Sequence, residues 1–205
     1  MTHPTDLKGL KVAILVTDGF EQVELVEPRK ALDQAGATTS IVSPDSIIHM
    51  ITPNSSVVPK SGNVRGWKLT EWGDEFPFDV PLDRAQPSEY DALLLPGGMI
   101  NPDILRLNSN AVSFVKAFFD AAKPVAAICH GPWTVIDAGG ARGRRMTSWP
   151  SLKTDLRNAG ADWMDQEVVV DGNLVSSRKP DDIPAFNREI LKLLREVRER
   201  NGATT

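Results

Sequence analysis

Cysteine is almost missing from this chain, with one residue, Cys129, among 205. A lone cysteine excludes any internal disulfide, and with only His3, His49 and His130 as imidazoles no cluster has metal-ligand spacing, so no metal is expected. Long apolar runs are lacking too. No segment approaches the roughly 20 apolar residues of a membrane helix, and no secretory leader is recognisable, so no membrane association is expected and the reducing cytoplasm is the expected compartment. Positive charge is in short supply: 23 Lys and Arg stand against 27 Asp and Glu, for a formal net charge of -4. Apart from Arg142-Gly143-Arg144-Arg145 the basic residues are scattered, which argues against a nucleic-acid partner. The glycine spacing of a dinucleotide fingerprint is absent at the first strand, so no cofactor is expected.

What is present is a chain able to build a full core. Hydrophobic residues make up 41%, and a length near the usual ~100–200 residues per domain predicts one domain over residues 1–205. Apolar runs alternate with amphipathic stretches. Lys11 to Val16, Thr38 to Val42, Asp91 to Leu95 and Val125 to Ile128 read as strands, while Glu21 to Leu32, Ser109 to Ala122, Ser151 to Asn158 (a capped helix) and Asp181 to Arg200 read as helices. Val168 to Val170 and Leu174 to Ser176 form a hairpin about Asp171-Gly172-Asn173. Strands that are apolar throughout and joined by helices predict an α/β sandwich, a mostly parallel sheet covered on both faces. Residues 46–87 break the rhythm, fragmented by prolines and glycines. They read as a small antiparallel subsheet or a flap, with Trp67, Trp72, Phe76 and Phe78 suited to packing against the domain or against a partner chain. The ends, Met1 to Leu7 and Asn201 to Thr205, read as frayed.

The lone cysteine stands at the exit of an apolar run, Val125-Ala126-Ala127-Ile128-Cys129-His130-Gly131-Pro132, with a helix from Trp133 to Ala138 behind it. Strand, sharp turn and helix make a nucleophile elbow, which pushes the turn residue out over the sheet edge and places a helix N-terminus where it favours the thiolate. A buried structural thiol fits the local pattern equally well. In open parallel sheets the ligand site lies beyond the carboxyl ends of the strands. This collects Asp18-Gly19-Phe20-Glu21, Gly97-Gly98-Met99 and Cys129-His130 on one rim. A thiol nucleophile needs a base or carboxylate nearby and backbone amides for the developing oxyanion. Adjacent side chains normally diverge, so the Cys129-His130 neighbourhood alone does not make a dyad. Trp149-Pro150 reads as a packing corner.

Four motifs in order, Asp18-Gly19-Phe20-Glu21-Gln22-Val23-Glu24-Leu25, Leu95-Pro96-Gly97-Gly98, Ala127-Ile128-Cys129-His130-Gly131-Pro132 and Ser177 to Phe186, resemble the PfpI family of the DJ-1/PfpI superfamily, a class I glutamine amidotransferase-like group, over nearly the whole chain. The resemblance implies a flavodoxin-like three-layer sandwich and at least a homodimer. It makes Cys129 the nucleophile with His130 beside it, Gly98 and His130 the oxyanion amides, and Glu24 the acid that hydrogen-bonds the sulfur. Glu21 matches a second acid, which also fits an ordinary solvated helix front. Asp103 stands where family proteases carry an acid that reaches a neighbouring subunit's histidine, but it is an aspartate in place of the longer glutamate. Gly97, Met99, Gly131 and Trp133 are the further pocket candidates. Two function classes follow. One is a cysteine-dependent stress-response hydrolase or lyase of peptidase, deglycase or glyoxalase type, acting on small carbonyl compounds, peptides or glycated protein. The other is a redox-responsive stress protein or chaperone whose cysteine is oxidised to sulfenic or sulfinic acid.

Overall fold

The computed structural model describes residues 7–44 and 62–202. In chain order its elements are β1 (Lys11–Leu15), β2 (Phe20–Glu21), α1 (Gln22–Gln34), β3 (Thr38–Ser43), β4 (Asn63–Lys68), β5 (Glu71–Pro77), β6 (Val80–Pro81), β7 (Ala92–Leu95), α2 (Ile100–Leu105), α3 (Ser109–Asp120), β8 (Val125–Ile128), α4 (Pro132–Asp137), β9 (Arg145–Met146), α5 (Lys153–Asn158), β10 (Asp162–Trp163), β11 (Val168–Asp171), β12 (Leu174–Ser177) and α6 (Ile183–Gly202). The main sheet has the order β11-β12-β8-β7-β1-β3-β6. Every pair in it is parallel except the β11-β12 hairpin.

The continuous apolar runs are explained by burial on both faces of this sheet. From β1, Val12 and Ile14 enter one cluster with Leu25 and Leu32 of α1 and Phe186 and Leu194 of α6. Ala13 and Leu15 enter the opposite cluster, with Phe114 and Phe118 of α3 and Leu156 of α5. Both alternating sets of a strand meet helices, so neither set is free to be polar. Each fully buried Leu, Ile or Phe contributes about 1.5–3 kcal/mol by leaving water, and the three layers are a flavodoxin-like sandwich. The α3 helix starts where Asn108 Oδ1 accepts from the Asn110 and Ala111 N–H groups at 2.9 and 3.1 Å, an N-cap one residue before the predicted start.

Several boundaries differ from the sequence reading. Ser151 caps nothing; Pro150–Leu152 form a 3-10 turn that runs into α5. A second such turn, Pro180–Asp182, precedes α6, so that helix begins at Ile183 rather than Asp181. The six-residue α2 and the two-residue strands were not foreseen, because segments that short carry no readable periodicity. Leu7 is not frayed: it is fully buried and its N–H donates to Ala35 O at 2.6 Å. At the other end α6 runs on through Asn201 to Gly202, while Met1 to Asp6 and Ala203 to Thr205, with His3, lie outside the described residues.

Of the expected insert, residues 46–61 and His49 also lie outside the described residues. The remainder contains the antiparallel β4-β5 hairpin, to which β2 adds in parallel as a three-stranded subsheet, and β6, which edges the main sheet. Its aromatic residues pack inward, Phe76 edge-on to Phe20 at 5.8 Å and Trp67 edge-on to Trp72 at 5.3 Å between ring centres. Through β2 the hairpin is fastened directly before α1, which brings its tip, Trp67 to Leu69, to the carboxyl edge of the main sheet.

Candidate active site

The parallel strands β1, β7 and β8 end at one edge, and the segments that leave them meet there as parallel-sheet topology requires. Cys129 follows β8 directly with φ +61°, a left-handed conformation that costs a non-glycine residue about 1–3 kcal/mol. Three backbone hydrogen bonds hold it. The Cys129 N–H donates to Ser177 O at 3.0 Å, Trp149 N–H donates to Cys129 O at 2.9 Å, and Gly131 N–H donates to Ile128 O at 2.8 Å. Pro132 opens α4 immediately afterwards, at a helix position where its missing N–H costs nothing.

The strained turn has a consequence for the neighbouring side chains. Instead of diverging, Cys129 Sγ and His130 Nδ1 lie 3.1 Å apart. The ring of His130 stacks on Trp149 at 5.8 Å and meets Trp133 edge-on at 5.2 Å. Burial between these indoles pushes His130 down to about 4, so the ring is neutral at physiological pH. An imidazolium–thiolate ion pair is therefore disfavoured, and the neutral ring is left to exchange a hydrogen bond with the sulfur.

Glu24, in the first turn of α1, is fully buried. Its Oε2 accepts from the Gly97 N–H at 2.8 Å, while Oε1 is buried with no hydrogen-bond partner. Burial pushes the carboxyl up to about 8, partly offset by the Gly97 N–H and the Cys129 thiol and reinforced by the Glu21 charge. Burial also drives the Cys129 thiol strongly upward, the Glu24 carboxylate adds to this, and the Gly98 and His130 amides aimed at the sulfur oppose it. The expectation that the helix N-terminus alone would favour the thiolate is thus corrected, because burial outweighs it. The pair carries its protons at neutral pH; a proton kept on Glu24 removes the carboxylate charge that opposes the thiolate, and the two amides on the sulfur favour it.

Glycine is required at both positions of the loop after β7. A Cβ on Gly97 would sit 2.7 Å from Cys129 Cβ, 2.7 Å from His130 N and 2.8 Å from Glu24 Oε2. Gly98 adopts φ +74°, with Gly19 O and Glu21 N in the space its Cβ would need. A residue that sequence reasoning missed holds this loop. Asn101 in α2 is fully buried; its Nδ2 donates to Pro96 O at 2.9 Å and Gly97 O at 3.1 Å, and its Oδ1 accepts from Thr17 N at 2.8 Å. It ties the ends of β1 and β7 together. The signal was a polar side chain among the apolar positions of a helix too short to be recognised.

Above Cys129 opens a cleft of about 220 Å³. Glu21, Glu24, Gly98, Met99 and His130 line it, together with Trp67 and Leu69 from the hairpin tip and Trp149. Glu21 Oε2 accepts from Leu69 N–H at 3.4 Å, and burial raises the carboxyl above its ordinary value. Trp149 is therefore a wall of the cleft and not merely a packing corner. Trp133, expected in the pocket, stands behind His130 and outside the lining, its Nε1 donating to Asp155 Oδ2 at 2.8 Å. Gly131 is the N-cap residue of α4, also outside the lining. Asp103 is exposed on α2 and makes no hydrogen bond or ion pair among the described residues. Arg178 is clamped by Asp182, at 2.8 and 3.1 Å, and by Asp165 at 2.7 Å. Among the described residues no group of three or more His, Cys, Asp and Glu side chains is placed to hold a metal ion, and no helix is long and apolar enough to cross a membrane.

Known proteins with this arrangement agree with the motifs. The family model of the DJ-1/PfpI family matches residues 10–193. The chain is 43% identical over 186 residues to a deglycase of Thermococcus kodakarensis, covering 91% of this chain and 100% of that protein. It is 43% identical over 187 residues to general stress protein 18 of Bacillus subtilis, covering 91% and 98%. It is also 41% identical over 185 residues to protein/nucleic acid deglycase 2 of Escherichia coli, covering 90% and 97%. Among solved structures, a two-domain protein from Anabaena variabilis with DJ-1/ThiJ/PfpI-like and ferritin-like domains superposes with a TM-score of 0.78 at 35% identity, over 90% of this chain and 48% of that one. DJ-1 of Schizosaccharomyces pombe shares the fold, with a TM-score of 0.74 at 21% identity over 93% and 98%. On its family match, its relatives and its sandwich architecture, this chain belongs to the DJ-1/PfpI family.

Proposed function

We propose that the protein is a cysteine-dependent stress-response hydrolase of deglycase type, with Cys129 as nucleophile on electrophilic carbonyl carbon. One observation carries the reading: a cysteine in a strained left-handed turn at the floor of a cleft, with a buried, protonated carboxyl and two backbone amides on its sulfur. In the first step the Sγ–carbon bond forms and the carbonyl π pair moves to oxygen. The thiol proton passes to the neutral His130 ring, or to Glu24 as Glu24 gives its own proton to the developing oxyanion, and the Gly98 and His130 N–H groups hold the oxyanion. Later steps consume water. The relatives named deglycase support carbonyl adducts as the substrate class.

Nucleic acid as a binding partner was excluded on charge alone, yet the name of the E. coli relative includes nucleic acid among its substrates, so a glycated base is tested beside glycated protein. A homodimer or larger assembly is supported by the apolar collar at the cleft mouth, where Leu69 is 79% and Met99 67% exposed. In such an assembly Asp103, exposed on α2, stands for the family acid with a side chain one methylene shorter than glutamate. Residues 1–205 form one domain in this reading.

The deciding experiment measures release of adducts from methylglyoxal-treated protein and nucleotide by wild type, Cys129→Ala and Glu24→Gln. Turnover is lost in the first and reduced at least about a hundredfold in the second if the carboxyl is a proton shuttle. Unchanged turnover in Cys129→Ala overturns the proposal. A second reading, a redox sensor, is favoured by the buried Glu24 carboxyl beside the sulfur, which in its protonated form can donate to a sulfinate oxygen. Accumulation of one defined oxidised form under mild peroxide, without turnover, selects it.

A further inference from the structure

The cleft holds carboxyl groups and indoles but no cationic side chain. Among the described residues lining it, none is Lys or Arg, whereas Glu21, Trp67 and Trp149 stand at its walls. The basic side chains on the flanking elements are committed elsewhere. On the hairpin, Arg65 donates to Gly73 O at 3.1 Å and lies over the Trp72 ring, and Lys68 pairs with Asp74 at 3.2 Å. On the segment after β12, Arg178 is held by Asp165 and Asp182, and Lys179 pairs with Asp181 at 2.9 Å. Among the described residues of these elements, no Lys or Arg is left without a partner to welcome an anion. The Glu21 charge, by contrast, is felt at Glu24 beside the reactive sulfur, and the Leu69 N–H fixes its carboxyl at the hairpin tip.

We infer that the cleft over Cys129 is a charge-selective entrance in which Glu21 is the specificity-determining residue, admitting cationic or neutral electrophiles and rejecting anionic ones. This deepens the reading above and rests on Cys129 being the reactive group. The physical basis is twofold. A carboxylate in a narrow, partly desolvated cleft focuses its field on whatever enters, and the indoles of Trp67 and Trp149 that line it suit an ammonium or guanidinium through the attraction of a cation to an aromatic ring. A carbonyl carried on a cationic side chain is favoured over one carried on a carboxylate or phosphate.

The test does not depend on turnover. Cys129 is modified with three methanethiosulfonates whose transferred groups are cationic, neutral and anionic: trimethylammonium-ethyl, the smaller methyl, and sulfonato-ethyl. In each, Sγ forms a disulfide with the reagent's thiol sulfur, methanesulfinate leaves, and the thiol proton goes to solvent. Rates are read by intact mass and divided by those of 2-mercaptoethanol. Wild type is expected to give a cationic-to-anionic ratio at least about tenfold above that of the free thiol, compressed by added salt. Glu21→Gln, which keeps an acceptor for the Leu69 N–H, lowers the ratio about tenfold. Glu27→Gln, which removes the same charge from an exposed position further along α1, leaves it within about twofold.

A wild-type ratio equal to that of the free thiol, or an equal response to both variants, overturns the inference while Cys129 stands as nucleophile. Charge preference without deglycase turnover upholds the inference and overturns the catalytic reading. Inertness to all three reagents overturns both. If Glu21→Gln does not fold, the wild-type ratio and its salt dependence decide alone.

Discussion

Replacing Glu24 by Gln should reshape the pH dependence of stability in a calculable way. The carboxyl is raised from 4.5 to about 8 by burial, a shift of roughly 3.5 units, which at 1.36 kcal/mol per unit corresponds to about 5 kcal/mol. Because the folded-state value lies above the unfolded one, the native protein binds this proton more tightly. The contribution is complete below about pH 4.5 and is lost as pH rises toward about 8, where the buried group must ionise. Glutamine is isosteric, keeps an acceptor for the Gly97 N–H held at 2.8 Å in the wild type, and has no proton to lose. The stability of Glu24→Gln relative to wild type should therefore climb by up to about 5 kcal/mol between about pH 4.5 and pH 9. Urea denaturation of both proteins at a series of pH values reads the difference, with contributions from other groups cancelling. Parallel curves would show that Glu24 ionises in the native state as easily as in the unfolded one. They would refute the protonated-carboxyl picture on which the proton shuttle and the sulfinate donor both depend.

Gly97→Ala should be among the most damaging single-methyl changes in the chain. Its Cβ collides with Cys129, the His130 amide and Glu24 at once; a loss of about 1–3 kcal/mol in chemical denaturation is expected, together with loss of turnover, and near-wild-type behaviour would mean that the loop is not held against the elbow. Asn101→Ala removes three hydrogen bonds from a fully buried position. It should cost about 1–3 kcal/mol for the groups left unsatisfied and lower kcat more than it raises KM, whereas Asn101→Asp tests whether the donated pair or the accepted bond dominates. Trp149→Ala uncovers His130, so the ring should titrate closer to its ordinary value than the about 4 of the wild type; NMR titration showing no upward movement would sink the claim that the indole desolvates it.

The fold was legible in the residues because the physics that selects it is local and repetitive. Runs such as Val12 to Leu15 and Val125 to Ile128 are apolar at every position, which only a sheet buried on both faces tolerates, and the helical stretches between them impose parallel crossovers. From that topology alone the segments after β1, β7 and β8 had to share an edge, and the candidates Glu21, Gly98, Cys129 and His130 were collected on it, whereas Glu24 was implied only by the family resemblance. Short elements were illegible for the converse reason. The six residues of α2, with Asn101 inside them, and the Trp149 corner have too few positions for a period to emerge.

What sequence by itself determined was the architecture, the elbow and the identity of the thiol, since each is written in the order of apolar, turn-forming and reactive residues along the chain. Tertiary structure alone decided the state of that thiol. Whether Cys129 and His130 converge depends on one φ angle fixed by hydrogen bonds to the Ser177 carbonyl and from the Trp149 N–H. Whether Glu24 is charged depends on its burial beneath Gly97, and how the cleft is walled depends on a hairpin tip that approaches from residues 67–69. Burial, and with it the local dielectric and the position of each proton, is a property of three-dimensional neighbours that no spacing of residues encodes.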